Sequence, residues 1–328
     1  MSTAPTTVAW PDAVDEIFGG DQAVALAHVT PASGVVLTPL TNFGIRDRQG
    51  GRLTPLNSSI GMWKKLERVQ QNPRVAVAYH TRKHGFSDRA EYVLVQGRAA
   101  HSSLEDRSWL ERHRESWERF AGPREVGALW ERWLRIYHWR VGIEIAIERL
   151  IVWPDLACRG EFEVFGVPLP SEQPAPQRAP ARGTAPRINH TRAARRAARL
   201  PDTLLGWVGA DGFPFVIPVR IAETDQRGIV LQTPEGLVPP GGRRAGLLAH
   251  AFARYTYGQN KRQHTGWLEM EAEERLVLYA PHTEAGYYLP WSRFLYRLGA
   301  GLVTRRGYRA AQRAGFVPSG LRQSAGRS

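Results

Sequence analysis

Two serines and two lysines fall within eight residues in the stretch LTPLNSSIGMWKKLERVQQNPRVAVAY, residues 53–79. The pattern predicts a strand that runs into Ser58 and Ser59, a short helix carrying Lys64 and Lys65, and a second strand. Such an arrangement can hold a phosphate. Free N–H groups at a helix start favour an anion, serine hydroxyls donate beside them, and lysines add positive charge. The chain has only four lysines (Lys64, Lys65, Lys83 and Lys261) against forty arginines, and three of the four lie between residues 64 and 83. In so arginine-rich a chain, lysine at these positions fits a need for a compact point charge at a phosphate. The bland reading of Lys64 and Lys65 is a pair of solvated helix residues.

The elements that must position these groups are legible as apolar runs. Residues 23–29, 34–40, 52–56, 75–81 and 91–101 read as strands, separated by turns at Pro31-Ala32-Ser33-Gly34 and Asp47-Arg48-Gln49-Gly50-Gly51. Ser102 and Glu105, at capping-box spacing, open a predicted helix with Trp109, His113, Trp117 and Phe120 on one face, ended by Ala121-Gly122-Pro123. A second helix carries Val126, Leu129, Trp130, Trp133, Leu134 and Tyr137, and residues 142–153 alternate as a half-buried strand.

Proline-dense residues 168–187 read as an extended spacer, followed at 189–199 by a helix with Arg192, Arg195, Arg196 and Arg199 on one face. Strands then resume at 203–208, 213–221 and 228–233. A basic pair, Arg243-Arg244, stands fifteen residues after Gly228, as Lys64 stands thirteen after Gly51, and the echo predicts a tandem duplication. From Thr283 onward the pattern predicts a basic helix, with Phe294, Leu295, Leu298 and Leu302 apolar, packed on the second barrel.

The net charge of +13 suggests nucleic acid or membrane until it is located. Residues 171–200 contribute +6 and residues 285–328 contribute +8, so the remainder is near neutral. The basicity belongs to a linker and a tail, where contact with nucleic acid, anionic lipid or an acidic surface is the secondary reading. The single Cys158 excludes an internal disulfide framework and cysteine-built zinc sites. No signal-like start and no apolar run of about 18 residues is present, which predicts a cytoplasmic protein without a membrane span.

The run GRLTPLNSSIGMWKKLERVQQNPRVAVAY, followed by EYVLVQGRAA, resembles the pyridoxamine 5′-phosphate oxidase-like family of FMN-binding split barrels. The shared features are the serine pair after a strand, a lysine on a short helix, Asn-Pro-Arg before a valine-rich strand, and a later strand ending Gly-x-Ala. The resemblance covers residues 23–101 best. It implies a split barrel for the first half, and together with the echo in the second half the expectation is a mainly β fold with peripheral helices: two split β-barrels in tandem, joined by a Pro/Arg-rich linker, with a helical C-terminal extension. The implied divisions are an N-terminal segment 1–22, a first barrel 23–167 with a helical insertion at 102–140, a linker 168–201, a second, diverged barrel 202–282 and an extension 283–328.

The resemblance further implies a flavin-dependent oxidoreductase moving a hydride between FMN and a small organic substrate. Ser58, Ser59 and Lys64 or Lys65 would meet the flavin phosphate, Thr38 and Pro39 the ring system, and Tyr79 and His80 the isoalloxazine or substrate. Each has a bland alternative as strand surface, rim aromatic or satisfied histidine. Relatives bind flavin between two barrels of a homodimer. Here an intrachain pairing of barrels is an alternative to the homodimer, with Trp207, Lys261, Arg262 or His264 reaching across. A deazaflavin (coenzyme F-420) reductase and a non-enzymatic flavin- or haem-binding split barrel are the competing readings. Rossmann, P-loop, zinc-protease and α/β-hydrolase motifs are absent, no metal site is indicated, and no catalytic acid or base is identified.

Overall fold

Valine- and alanine-rich strands curl into two antiparallel sheets in the computed structural model, which describes residues 7–123, 127–271 and 276–318. The first sheet contains β1 (Ala23–Val29), β2 (Val35–Thr41), β3 (Arg46–Asp47), β4 (Arg52–Ser59), β5 (Arg74–Tyr79), β6 (Tyr92–His101), β7 (Arg140–Trp153) and β8 (Glu163–Gly166). Its order is β2-β1-β5-β6-β7-β4-β3, with β8 beside β7. After β2 the chain crosses to the far edge, where Phe43 N–H donates to Pro55 O at 2.8 Å, and the sheet becomes a barrel. The second sheet contains β9 (Asp202–Val208), β10 (Pro214–Pro218), β11 (Arg220–Thr224), β12 (Ile229–Gln232), β13 (Gly241–Ala251), β14 (Asn260–Glu271) and β15 (Leu276–Tyr288). Its order, β10-β9-β13-β14-β15-β12-β11, repeats the first strand for strand. The chain is therefore mainly β, two split barrels in tandem.

The repeat extends to its irregularities. β6 shifts register between Gln96 and Gly97, and β14 does so between Thr265 and Gly266. At both bulges the glycine lies against a carbonyl, Ala146 O or Ala280 O, where a Cβ would stand 2.3 or 2.2 Å away. Counting along the ladders aligns Ala78, paired with Ala25, with Leu248, paired with Leu204. Arg243-Arg244 thereby matches Pro73-Arg74 on a strand, so the expected echo of Lys64-Lys65 is corrected. The chain between β12 and β13 replaces the lysine helix with a loop. The segment expected as one strand at 213–221 is also two, β10 and β11, because the chain crosses between sheet edges at Val219.

Each barrel has its own core, one around Ile17, Leu26, Leu56, Val77 and Ile143, the other around Leu205, Trp207, Ile229 and Leu268. A third apolar cluster joins them, drawing Ala25, Ala27, Leu37, Ala76 and Ala78 from the first barrel and Leu204, Val216 and Leu248 from the second. Alanines on the first sheet keep this seam thin. Hydrogen bonds cross it from Tyr92 Oη to Val216 O (2.7 Å) and from Gln96 Nε2 to Pro214 O (2.7 Å). The proline-rich linker follows the second barrel rather than hanging free: Gln177 N–H donates to Gly242 O and Arg187 N–H to Pro281 O.

The helices are α1 (Asp12–Gly20), α2 (Lys64–Gln71), α3 (Trp109–Arg112), α4 (Arg114–Ala121), α5 (Ala128–His138), α6 (His190–Ala197) and α7 (Arg293–Arg313). The expected capping box at Ser102 does not form, because Ser102 Oγ accepts from Gly142 N–H on β7 (3.0 Å) and helix starts only at Trp109. That helix breaks at His113 into α3 and α4. Val126 lies outside the described residues. Strand pairing continues through Tyr288, and α7 begins ten residues later than Thr283.

The expectation that this last helix packs on the second barrel is overturned, since α7 crosses the 3-10 turn Ile60–Met62 of the first barrel. The backbones touch at a glycine pair: a Cβ on Gly61 would lie 2.2 Å from Thr304 O, and one on Gly307 would lie 1.9 Å from Gly61 O. The face of α7 that packs is small and polar (Ala300, Gly301, Thr304, Tyr308 and Ala311), which is why apolar periodicity misassigned it. Gly307→Ala is expected to destabilise the protein by about 2 kcal/mol, as overpacking does. Gly299→Ala, with open space around it, is expected to stabilise the helix by about 1 kcal/mol. Denaturant unfolding checks both, and a neutral Gly307→Ala would refute this docking.

Candidate functional site between the barrels

Lys65 is half-buried where Lys64 stays in solvent. Lys64 is exposed, ion-paired to Glu67 at 3.0 Å and 3.9 Å from the Trp63 ring centroid. Lys65, one step around α2, turns under the second barrel. Burial first, then the charges of Lys261, Arg140 and Arg68, push its ammonium down to about 7. Burial and Arg68 bring Lys261, on β14, down to about 8, and burial lowers Arg68. Among the described residues none of Lys65, Arg68, Arg140 and Lys261 has an ion pair to a carboxylate, while Glu67, beside Arg68, is engaged by Lys64.

Arg140 anchors the cluster at the start of β7. It is 7% exposed, with Nη1 on Asn57 Oδ1 at 3.4 Å and its guanidinium 4.0 Å from the Tyr137 ring centroid and 4.5 Å from that of Trp117. Its Nε and Nη2, and Asn57 Nδ2, have no hydrogen-bond partner. His28 on β1 is buried with both ring nitrogens unpartnered, and burial with the charges of Arg68 and Lys65 pushes it down to about 3, so it is neutral. The far side is aromatic. Tyr137 and Tyr296 of α7 share a hydroxyl contact of 2.6 Å, Tyr257 stands edge-on to Tyr296, and Lys261 Nζ lies 5.2 Å from the Tyr287 ring centroid.

Uncompensated buried cations and guanidinium N–H groups are costly unless an anion joins them. The donor set fits a phosphate, which accepts several charge-assisted hydrogen bonds. Among the described residues no second copy of this set stands at the equivalent place. Tyr92, five residues before the Gly97 bulge, stands where Lys261 stands before Gly266. The surroundings there are Cys158–Phe162 and Glu235–Leu237; the latter loop carries no cation, and Arg159 in the former is exposed and ion-paired to Asp155 at 2.8 Å.

The other residues singled out from sequence have surroundings of their own. Ser58 Oγ donates to Met62 O (3.1 Å), and Ser59 Oγ donates to Ile136 O (2.6 Å) while accepting from Gly61 N–H (3.3 Å). Both are buried beneath α7, and both hydroxyls are engaged with backbone. Thr38 and Pro39 sit on β2 opposite Leu26 and Ala25. Tyr79 points into the first core against Phe18, with burial raising its phenol.

His80 instead meets His250, its counterpart in the repeat, Nε2 to Nε2 at 2.7 Å on the pseudo-twofold between the barrels. His80 Nδ1–H donates to Ala78 O (3.0 Å), so its Nε2 accepts from His250 Nε2–H. Arg68, Arg140 and Tyr296 escaped sequence reasoning. Of these, only Arg140, charged at the head of a strand otherwise apolar at alternate positions, left a signal.

The fold and site define a tandem split barrel with one cationic inter-barrel site. A search of solved structures finds similarity to a pyridoxamine 5′-phosphate oxidase-related, FMN binding protein from Nostoc punctiforme (14% identity, 47% of this chain and 87% of that one, TM-score 0.30). It also finds a general stress protein 26-related protein of the pyridoxinephosphate oxidase family from Clostridium acetobutylicum (10% identity, 48% and 90%, TM-score 0.31). A heme binding protein from Mycobacterium smegmatis matches over 92% of this chain and 100% of its own, at 16% identity and TM-score 0.30. No family model and no curated protein matches the chain.

Two pH dependences follow. Lys65 holds its proton less tightly folded than unfolded, so between about pH 7 and 10.5 the ligand-free protein gains stability as pH rises. An anion that restores the charge is therefore expected to raise Tm more near pH 6.5 than near pH 9.5. Inorganic pyrophosphate in a thermal-shift assay checks this, with Lys65→Met reducing the difference to the part that Lys261 contributes; equal shifts at both pH values would refute it.

Burial lowers both His80 and His250, and the charge of His80 further lowers His250. Their stabilisation is complete above their unfolded value of about 6.5 and is lost as pH falls below it. Denaturant unfolding from about pH 7.5 to 5 is expected to show a decline that His250→Gln flattens.

Proposed function

We propose that the inter-barrel site binds the phosphate of FMN, and that the protein is a flavin-dependent oxidoreductase acting on a small organic molecule. The observation that carries this reading is the set Lys65, Arg68, Arg140 and Lys261, drawn from both barrels, with two guanidinium nitrogens lacking any partner. In this reading Lys65 and Arg140 neutralise the phosphate and Lys261 closes the site from the second barrel. Arg68 supplies long-range charge, and Asn57 Nδ2 offers a further donor. The tyrosines around Tyr296 exclude water on one side, which strengthens each charge contact. When bound, the flavin ring supplies the hydride chemistry. The chain's own contribution is orientation and charge, and no side chain is assigned as acid or base.

The test is titration of flavin-free protein with FMN and with riboflavin, which lacks the phosphate. FMN is expected to bind at least roughly tenfold more tightly, and Lys65→Met or Arg140→Met to weaken it by a similar factor without moving riboflavin affinity, the scale of one charge-assisted hydrogen bond. Equal affinities for FMN and riboflavin would overturn the phosphate assignment. Uptake of a deazaflavin or of haem with no uptake of FMN would overturn the cofactor.

A further inference from the structure

Helix α7 is amphipathic in an unusual sense: its outward face changes character along its length. The inward face is held on the first barrel by Ala300, Gly301, Thr304, Tyr308 and Ala311. At 100° per residue, Phe294, Leu295, Leu298 and Leu302 form one outward stripe about 100° wide, and Trp291, just before the N-cap Ser292, has its ring beside Gly258 at the entry to the helix. All five are exposed, from 39% for Leu298 to 66% for Trp291. Leu129 of α5, 77% exposed, extends the patch, and Trp130 meets Phe294 edge-on with ring centroids 5.8 Å apart. On the same outward line, past Leu302, stand Arg305, Arg306, Arg309 and Arg313.

A cleft of about 500 Å³ adjoins that basic half, with Arg132 and Arg135 of α5 facing Arg305 and Arg309 of α7. α7 carries six arginines and no acid, and residues 285–328 carry eight arginines and no acid.

We propose that this face of α7, with the adjoining end of α5, docks on an anionic lipid surface. The apolar half, with Trp291, Phe294, Leu295 and Leu298, enters the boundary between headgroups and acyl chains, and the arginines from Arg305 onward meet lipid phosphates. The charge chooses among occupants. A second copy of this chain packed on the same patch by a twofold axis would set two arginine-rich, acid-free helices against each other, which like-charge repulsion opposes. A nucleic acid would use the arginines and leave the tryptophan, phenylalanine and leucines in water. An anionic membrane, unlike either of these, uses both halves at once. Among the described residues no helix is long and apolar enough to cross a membrane, so α7 lies in the surface plane.

The experiment is co-sedimentation of the full chain with vesicles of phosphatidylcholine alone and of phosphatidylcholine with 30% phosphatidylglycerol, a mixture of about physiological anionic density. Binding is expected with the anionic vesicles, to weaken with added salt, and to fall roughly fivefold for Arg309→Ala, the scale of one basic residue near a charged surface. The pair Leu295→Asp and Leu298→Asp, on the outward side and away from the Gly61–Gly307 contact, is expected to abolish it, with an unchanged Tm showing that α7 remains docked. Tryptophan fluorescence should shift to the blue on anionic vesicles, and Trp291→Ala should reduce that shift. No sedimentation with anionic vesicles, or equal binding to both compositions, would overturn the proposal. So would a dimer in light scattering that the aspartate pair dissolves, or duplex DNA binding that the aspartate pair leaves intact in a protein that ignores vesicles.

Discussion

The seam between the two barrels is the constraint from which the rest of the structure follows. Ala25, Ala27, Ala76 and Ala78 present almost no side chain, so the second sheet approaches closely and covers the first barrel's flank with Leu204, Val216 and Leu248. Dispersion and apolar burial hold this contact, and neither is directional. Direction comes from the polar groups set into it. Tyr92, Gln96 and the His80–His250 pair must find their partners in the dry seam, and leaving a buried donor unpaired costs more than an average hydrogen bond contributes. These few bonds fix how one barrel is rotated on the other.

That rotation makes one site from two halves that are not equal. The repeat generates two equivalent regions across the pseudo-twofold. In one, α2 brings Lys65 and Arg68 within reach of each other's charge and that of Arg140, and β14 adds Lys261. In the other, the loop at Glu235–Leu237 replaces the helix and Tyr92 occupies the lysine position. Duplication supplied the frame. Divergence of one loop and one strand position left the charge on one side, where water exclusion by the tyrosines raises the cost of leaving it unpaired.

α7 closes the first barrel and also presents a surface of its own. It fits there because neither glycine has a side chain, since a Cβ on Gly307 would strike Gly61 O and one on Gly61 would strike Thr304 O, and that contact lies directly over the turn that holds Ser58 and Ser59. The serines therefore support the turn beneath a helix, with their hydroxyls on Met62 and Ile136 carbonyls. The same packing decides which residues of α7 face outward. Small residues go in because the backbones nearly touch, and the bulky apolar ones remain outside.

Alternation and glycine-bounded apolar runs were enough to define most strands, the tandem repeat and the helices that carry Lys65 and Trp130, because these signals depend on neighbours in sequence. The sequence alone also singled out Lys64, Lys65 and Lys83 by their rarity among arginines, and named Lys261 only as one of four residues that could reach across from the second half. It could not say which lysine turns inward. That depends on a second barrel some two hundred residues downstream, which leaves Lys64 in water and puts Lys65 beside Arg140. Nor could periodicity foresee that the small-residue face of α7 is the buried one, since a helix packed backbone to backbone inverts the usual rule that apolar bulk goes inside. Local spacing determined the elements. Only the tertiary structure determined which charges lie buried together, because their mutual distance and their dehydration are properties of the packed whole.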